Sequence, residues 1–250
     1  MEIKTLGSLE EANYVKATLY GLPSSGKTRS IRTLPDRSNW LVITAEKGLM
    51  TISDLQDQPV VEVKNWKDVT DVYGFLSKSQ DANKYRGAIF DTISEMTYLG
   101  IEKIRTDDRI EKFGFDQFGT ILTRLQRLVR AFRDIPKDII MLAQPKEKEE
   151  QVTNRSVFRP ALIGSMNDEY PAHFDFMLYA RYDDTGAYWV TKPQRNLRIK
   201  DRTGLLPERM QPDWQHVFTA HELKKQWNTL EEAKRKEIYQ DFLKSATVNL

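Results

Sequence analysis

Residues Gly21-Leu22-Pro23-Ser24-Ser25-Gly26-Lys27-Thr28 carry a G-x-x-x-x-G-K-T spacing. Glycines at the first and sixth positions let the main chain curl until consecutive N–H groups face inward, a cradle for phosphate oxygens. The lysine can reach the terminal phosphates, and the threonine hydroxyl can join the coordination of Mg²⁺. The chemistry implied is binding of ATP with Mg²⁺. Three further polar residues close apolar runs. Asp91 ends Gly87-Ala88-Ile89-Phe90, and an acid in that position holds the metal together with Thr28. Thr92 follows it, so a water-activating carboxylate must come from elsewhere; Glu46, just past Trp40-Leu41-Val42-Ile43-Thr44-Ala45, is the candidate. Gln144, after Ile139-Ile140-Met141-Leu142-Ala143, is placed to hydrogen-bond the γ-phosphate and pass its state to the segment that follows.

For these groups to meet, the runs that carry them must be neighbouring parallel strands, because ligands bind at the carboxyl ends of such strands. The pattern agrees. Strands are expected at Val15–Tyr20, Trp40–Thr44, Val60–Val63, Gly87–Phe90, Asp138–Leu142, Phe174–Tyr182 and Tyr188–Thr191. Helices are expected at Lys27–Leu34, Trp66–Ser77, Ser94–Arg105 and Gln117–Arg133. Ile121, Leu122, Leu125, Leu128, Val129 and Phe132 recur at helical spacing in the last of these. Alternation of this kind predicts an α/β fold with a mostly parallel central sheet flanked by helices.

The C-terminal end differs. Thr219-Ala220-His221-Glu222 and Thr229-Leu230-Glu231-Glu232 have the form of capping boxes, which predicts helices over 221–227 and 230–245. The expected organisation is an N-terminal segment 1–13, an ATPase core 14–218 and a C-terminal helical appendage 219–250. The charged stretch 145–160 shows no clear periodicity and is expected to be an irregular, functional loop. Within it Arg155, Phe158 and Arg159 offer guanidinium groups and an aromatic ring for single-stranded nucleic acid, against Glu147, Glu149 and Glu150. Lys192, Arg195, Arg198, Lys200, Arg202 and Arg209 form a second basic cluster, for a neighbour's ATP, for DNA phosphates, or as a solvated loop. Arg124, Arg127, Arg130 and Arg133 read as the solvated face of a helix.

Composition bounds the rest. The chain has 250 residues and a net charge of +2, so any nucleic-acid surface must be local. It has no cysteine, which excludes disulfides and thiolate metal sites. The three histidines, His173, His216 and His221, lack metal-ligand spacing. No apolar run approaches membrane-spanning length, and the N-terminus lacks signal-peptide order; a cytoplasmic protein is expected.

The order of motifs, from the phosphate loop through Ile43-Thr44-Ala45-Glu46-Lys47-Gly48-Leu49 and Asp91-Thr92 to Ala143-Gln144 and a long segment, resembles the RecA-type recombinase core. Tyr20-Gly21, Pro160-Ala161-Leu162-Ile163-Gly164, Phe174-Asp175 and the block Lys192–Gly204 are similar to the phage RecA-like, ATP-binding single-strand annealing proteins. The resemblance implies a RecA-like P-loop NTPase core with Mg-dependent, DNA-stimulated ATPase activity in phage recombination. Glu46 would be the catalytic base, Gln144 the γ-phosphate switch, 145–160 the DNA-facing segment, and Lys192 or Arg195 a contact to a neighbour's ATP. Implied partners are single-stranded DNA and further copies of the chain, as an oligomer or filament with ATP at protomer interfaces. A single-stranded-DNA-binding protein is a further candidate, and the location would be the host cytoplasm. Met50 departs from the bacterial pattern, and no aromatic follows it to stack on adenine. Two other readings are a nucleotide-switched DNA-binding or annealing module with little hydrolysis, and a P-loop small-molecule kinase.

Overall fold

The computed structural model describes residues 14–46, 49–107, 115–150, 155–162 and 169–248. The expected N-terminal segment 1–13, Lys47-Gly48, residues 151–154 and Ile163-Gly164 lie outside them. Strands β1 (Lys16–Gly21), β2 (Trp40–Thr44), β3 (Val60–Glu62), β4 (Gly87–Asp91), β5 (Asp138–Ala143), β8 (Phe176–Asp183), β9 (Gly186–Val190) and β11 (Arg209–Met210) form one sheet in the order β3-β2-β4-β5-β1-β8-β9-β11. Pairing is parallel from β3 to β8 and antiparallel beyond; β10 (Lys200–Asp201) adds to β8 antiparallel. Strands β1, β2, β4 and β5 are buried along their whole length, as near-continuous apolar runs in a parallel sheet must be.

Helices α1 (Trp66–Lys78), α2 (Ile93–Asp107) and α3 (Phe115–Arg133) cover one face. Val69, Val72, Leu125, Val129 and Phe132 pack there against Leu41, Ile43, Phe90, Ile139 and Met141. Asn65 and Asp68 close the start of α1 with a reciprocal capping box. The other face buries Leu19, Val42, Ile89, Ile140 and Leu178 under Ile31 and helix α4 (Trp214–Gln226), with Phe242 and Ala246 of α5 (Glu232–Ala246). The fold class is thus the expected one: mixed α/β, with a large, mostly parallel sheet between helices.

Three local expectations need correction. The element after the phosphate loop is a 3-10 helix, Thr28–Thr33, rather than an α-helix over Lys27–Leu34. Hydroxyls take its carbonyls: Ser30 Oγ donates to Lys27 O at 2.6 Å and Thr33 Oγ1 to Ser30 O at 2.9 Å. Such bonds compete with α-helical pairing, and Pro35 ends the turn. Second, Thr219–Glu222 is not a cap. The helix begins at Trp214 on an Asp213 cap whose side chain accepts from Gln215 N, so positions 218 and 219 fall inside it. Trp214, Val217, Phe218 and Leu223 supply its buried stripe. Likewise α5 starts at Glu232 without a side-chain cap, and Thr229 Oγ1 donates instead to Gln226 O. Third, the described residues of 145–160 are not irregular: β6 (Pro145–Glu150) pairs antiparallel with β7 (Arg155–Pro160) over its full length.

Candidate nucleotide site

Strand β1 delivers the phosphate loop to the carboxyl edge of the sheet. A Cβ at Gly21 would meet Ala180 O at 2.6 Å and Ser25 Oγ at 2.8 Å, so this glycine is required by the close approach of β8. Gly26 holds φ +86°, a left-handed conformation that side chains resist, and nothing lies within 4 Å of where its Cβ would stand. Ser25 Oγ is buried without a hydrogen-bond partner among the described residues. Open space over Gly26 and an orphaned hydroxyl beside it are what a phosphate-accepting loop requires.

Lys27 is buried. Its ammonium donates to Gly21 O at 2.7 Å and Leu22 O at 2.9 Å, arching over the loop. Burial lowers its pKa to about 8, against the opposing pull of Asp91 and Glu46. Thr28 Oγ1 donates to Asp91 Oδ2 at 2.8 Å, so the two expected magnesium ligands already touch. Asp91 is 3% exposed. Burial pushes its carboxyl up to about 6; the Glu46 charge adds to the rise, and the Thr28 hydroxyl and Lys27 oppose it. Among the described residues no three His, Cys, Asp or Glu side chains cluster as metal ligands. One carboxylate and one hydroxyl nevertheless suit Mg²⁺, which takes few protein ligands and shares the rest with phosphates and water.

Glu46 lies beside this pair. Strand β2 pairs with β4 so that Thr44 stands opposite Asp91, and Ala45 N donates to Asp91 O at 3.3 Å. Thr92 Oγ1 donates to Glu46 Oε1 at 3.0 Å, and Glu46 N donates to Thr44 Oγ1 at 3.1 Å. Thr92, which the sequence marked only as a missing glutamate, thus orients the carboxylate. Glu95, which the sequence reads as an N-terminal helix charge rather than a catalyst, stands in the first turn of α2; burial, then the Glu46 charge, raises its pKa. Gln144 follows β5, the strand between β1 and β4; Ala143 is paired with Tyr20. Its N–H donates to Ser94 Oγ at 3.1 Å and its carbonyl accepts from Ala161 N at 2.7 Å.

The remaining candidates lie elsewhere. Lys192 bonds Asp201 Oδ2 and Gly204 O, both at 3.1 Å, and so closes a turn of its own chain. Arg195 is exposed in the Gln194–Leu197 turn, beside Phe158, and no partner for it is found among the described residues. In the β6–β7 pair, Arg155 is exposed, Phe158 is half-buried against the Tyr179 ring at 6.4 Å, and Arg159 is only 6% exposed. Phe158 therefore packs rather than offering a free ring, and Arg159 offers no open guanidinium. Tyr20 ties the base of this pair to β1: its buried hydroxyl lies 2.8 Å from Arg198 O and 3.1 Å from Phe158 O, donating to one at a time. A groove of about 410 Å³ between Arg86, Phe218, Leu223 and Ile238, beside the amino end of β4, holds none of these groups.

A family model described as "AAA domain" matches residues 13–203. A search of curated proteins finds no match to the chain. No helix of the described residues is long and apolar enough to cross a membrane.

Proposed function

The chain belongs to this AAA-domain family of P-loop nucleotide-binding proteins, and we propose that it is a RecA-like, Mg-dependent ATPase that acts on single-stranded DNA in phage recombination, by annealing or strand pairing. One observation carries the hydrolytic part. Lys27, Thr28, Asp91, Thr92 and Glu46 converge on one sheet edge, joined by the Thr28–Asp91 and Thr92–Glu46 bonds. Thr28 and Asp91 would hold Mg²⁺, which neutralises charge on the phosphoryl oxygens. Lys27 leaves the Gly21 and Leu22 carbonyls for the terminal phosphates. Glu46 takes the proton of a water whose oxygen bonds the γ-phosphorus as the bond to the β–γ bridging oxygen breaks. Placing a base within hydrogen-bond reach of that water contributes on the order of 10²–10⁴ in rate.

The DNA part rests on connectivity and charge. Gln144 sits at the nucleotide edge and leads directly into β6. Residues on one strand alternate faces, so Lys146 and Lys148 share a side with Arg155, while Glu147 and Glu149 share the other with Phe158. Two of the three acids that would repel a phosphate backbone, Glu147 and Glu149, are thus sorted away from the cations, while Glu150 pairs opposite Arg155. We assign the strand-binding face to Lys146, Lys148 and Arg155, in place of Phe158 and Arg159. Arg195 is a better candidate than Lys192 for a neighbour's nucleotide, because Lys192 is engaged by Asp201.

The test is phosphate release from Mg-ATP with no DNA, single-stranded DNA and duplex, for wild type and Lys146→Ala/Lys148→Ala/Arg155→Ala. Stimulation by single strands that the triple variant loses supports the reading. Equal turnover under all conditions refutes the DNA role. Annealing that survives Lys27→Ala would make the chain a nucleotide-independent annealing module. Consumption of ATP only with a small-molecule acceptor would make it a kinase.

A further inference from the structure

We propose that Tyr182 is the stacking platform for the nucleotide base, a contact that the phosphate-loop motif does not specify. The inference rests on the nucleotide-binding reading and deepens it. The sheet order sets the direction in which a bound triphosphate must run. Asp91 on β4 and Glu46 beyond β2 lie to one side of β1, so the γ-phosphate points toward them. The nucleoside then leaves on the other side, where β8 pairs with β1.

Ala180 of β8 stands opposite Gly21, and Tyr182 is two residues further along, past the loop. At ordinary strand rise and spacing its Cα is roughly 8 Å from that of Gly21. Alternation puts Tyr182 on the face of Leu178 and Ala180, which is also the face that carries Ile31 of the 3-10 helix after the phosphate loop. Its cross-strand partner is Ala187, and Ala180 precedes it on the same face, so the two nearest positions carry only methyl groups, with Trp189 on the diagonal. It is 73% exposed, and Leu22, in the loop itself, is 54% exposed. A tyrosine standing free at the mouth of a phosphate site is an unusual use of a large apolar surface.

Nearby groups are engaged elsewhere. Arg181, on the opposite face, leans on the Tyr179 ring at 5.6 Å, and Asp183 is held by Arg209 at 2.9 Å. Tyr182 itself makes no hydrogen bond or ring contact among the described residues. Every nucleobase presents a π-face, so such a ring grips the base without reading its edge.

The experiment is calorimetric titration, in the presence of Mg²⁺, of wild type, Tyr182→Ala and Tyr182→Phe with ATP and with inorganic tripolyphosphate. The expected result is that Tyr182→Ala weakens ATP by about tenfold or more, a typical loss for one stacked base. Tripolyphosphate should bind all three proteins alike, and Tyr182→Phe should keep wild-type affinity for ATP. ATP binding unchanged in Tyr182→Ala overturns the assignment, as does an equal loss for ATP and tripolyphosphate, which would mean damage to the loop. If wild type binds neither, the nucleotide-site reading fails, and this subsite with it.

Discussion

Replacing Asp91 by asparagine should make the nucleotide-free protein more stable while removing its grip on the cation. Asp91 is buried in β4, and its carboxyl is pushed from 3.8 up to about 6, chiefly by burial. A raised carboxyl pKa means that the folded protein binds this proton more tightly than the unfolded chain does. Stability is therefore greatest at low pH, falls as pH rises through 3.8 toward 6, and is level above. The charged form costs about 3 kcal/mol near pH 7.5 and about 1 kcal/mol near pH 4.5, since each tenfold change in proton affinity is worth about 1.4 kcal/mol. Asparagine keeps an acceptor for Thr28 Oγ1 and carries no charge, so its advantage over wild type should shrink by about 2 kcal/mol between those two pH values. For a chain of this size that is a change of roughly 4–8 °C in the Tm difference. Denaturant or thermal melts of both proteins across that range, without nucleotide or Mg²⁺, read it directly. A stability difference that does not change with pH, or that grows toward low pH, refutes the picture of a buried, charge-strained Asp91. The same burial gives the strain a use, since a cation bound at Asp91 relieves it.

Lys27 should impose the opposite limit on binding. Its pKa of about 8 leaves the ammonium charged below that pH. With Asp91 ionised, ATP affinity is then flat from about pH 7 to about pH 8 and falls by up to tenfold per pH unit above that, because phosphate binding takes up the proton; Lys27→Arg should flatten the profile. Lys27→Ala should weaken ATP by roughly tenfold to a hundredfold, the range for a lost hydrogen bond to a charged group, as measured by titration with a labelled nucleotide. Trp214→Ala should cost about 3–5 kcal/mol in denaturant melts, because the ring packs on Trp189 at 4.7 Å and its indole N–H donates to Ser30 Oγ at 3.0 Å. That bond ties α4 to the 3-10 helix behind the phosphate loop, so a mild effect would mean the C-terminal helices are not part of the core.

The strands that carry chemistry were legible because each is a buried apolar run ending in one polar residue. Trp40–Thr44 and Gly87–Asp91 could hardly be anything else, and parallel pairing then forces Glu46 toward Asp91. The role of Thr92 was not legible, since it depends on a hydroxyl meeting a carboxylate 46 positions away. The β6–β7 pairing within 145–160 was missed because its alternation is of charge sign rather than of polar against apolar, Lys146 and Lys148 interleaving with Glu147 and Glu149. The helix starting at Trp214 was misplaced because a capping-box pattern at Thr219–Glu222 outweighed the simpler signal of Asp213 before residues spaced 214, 217 and 218. Tyr182 carried no sequence signal: only the register of β8 on β1 brings it beside the phosphate loop.

Activation of water by Glu46 is tested most directly by Mg-ATP turnover and ATP binding measured on the same samples of wild type and Glu46→Gln. The variant should bind ATP as wild type does and lose turnover by about a hundredfold or more. Normal turnover in Glu46→Gln would contradict the role assigned to this carboxylate.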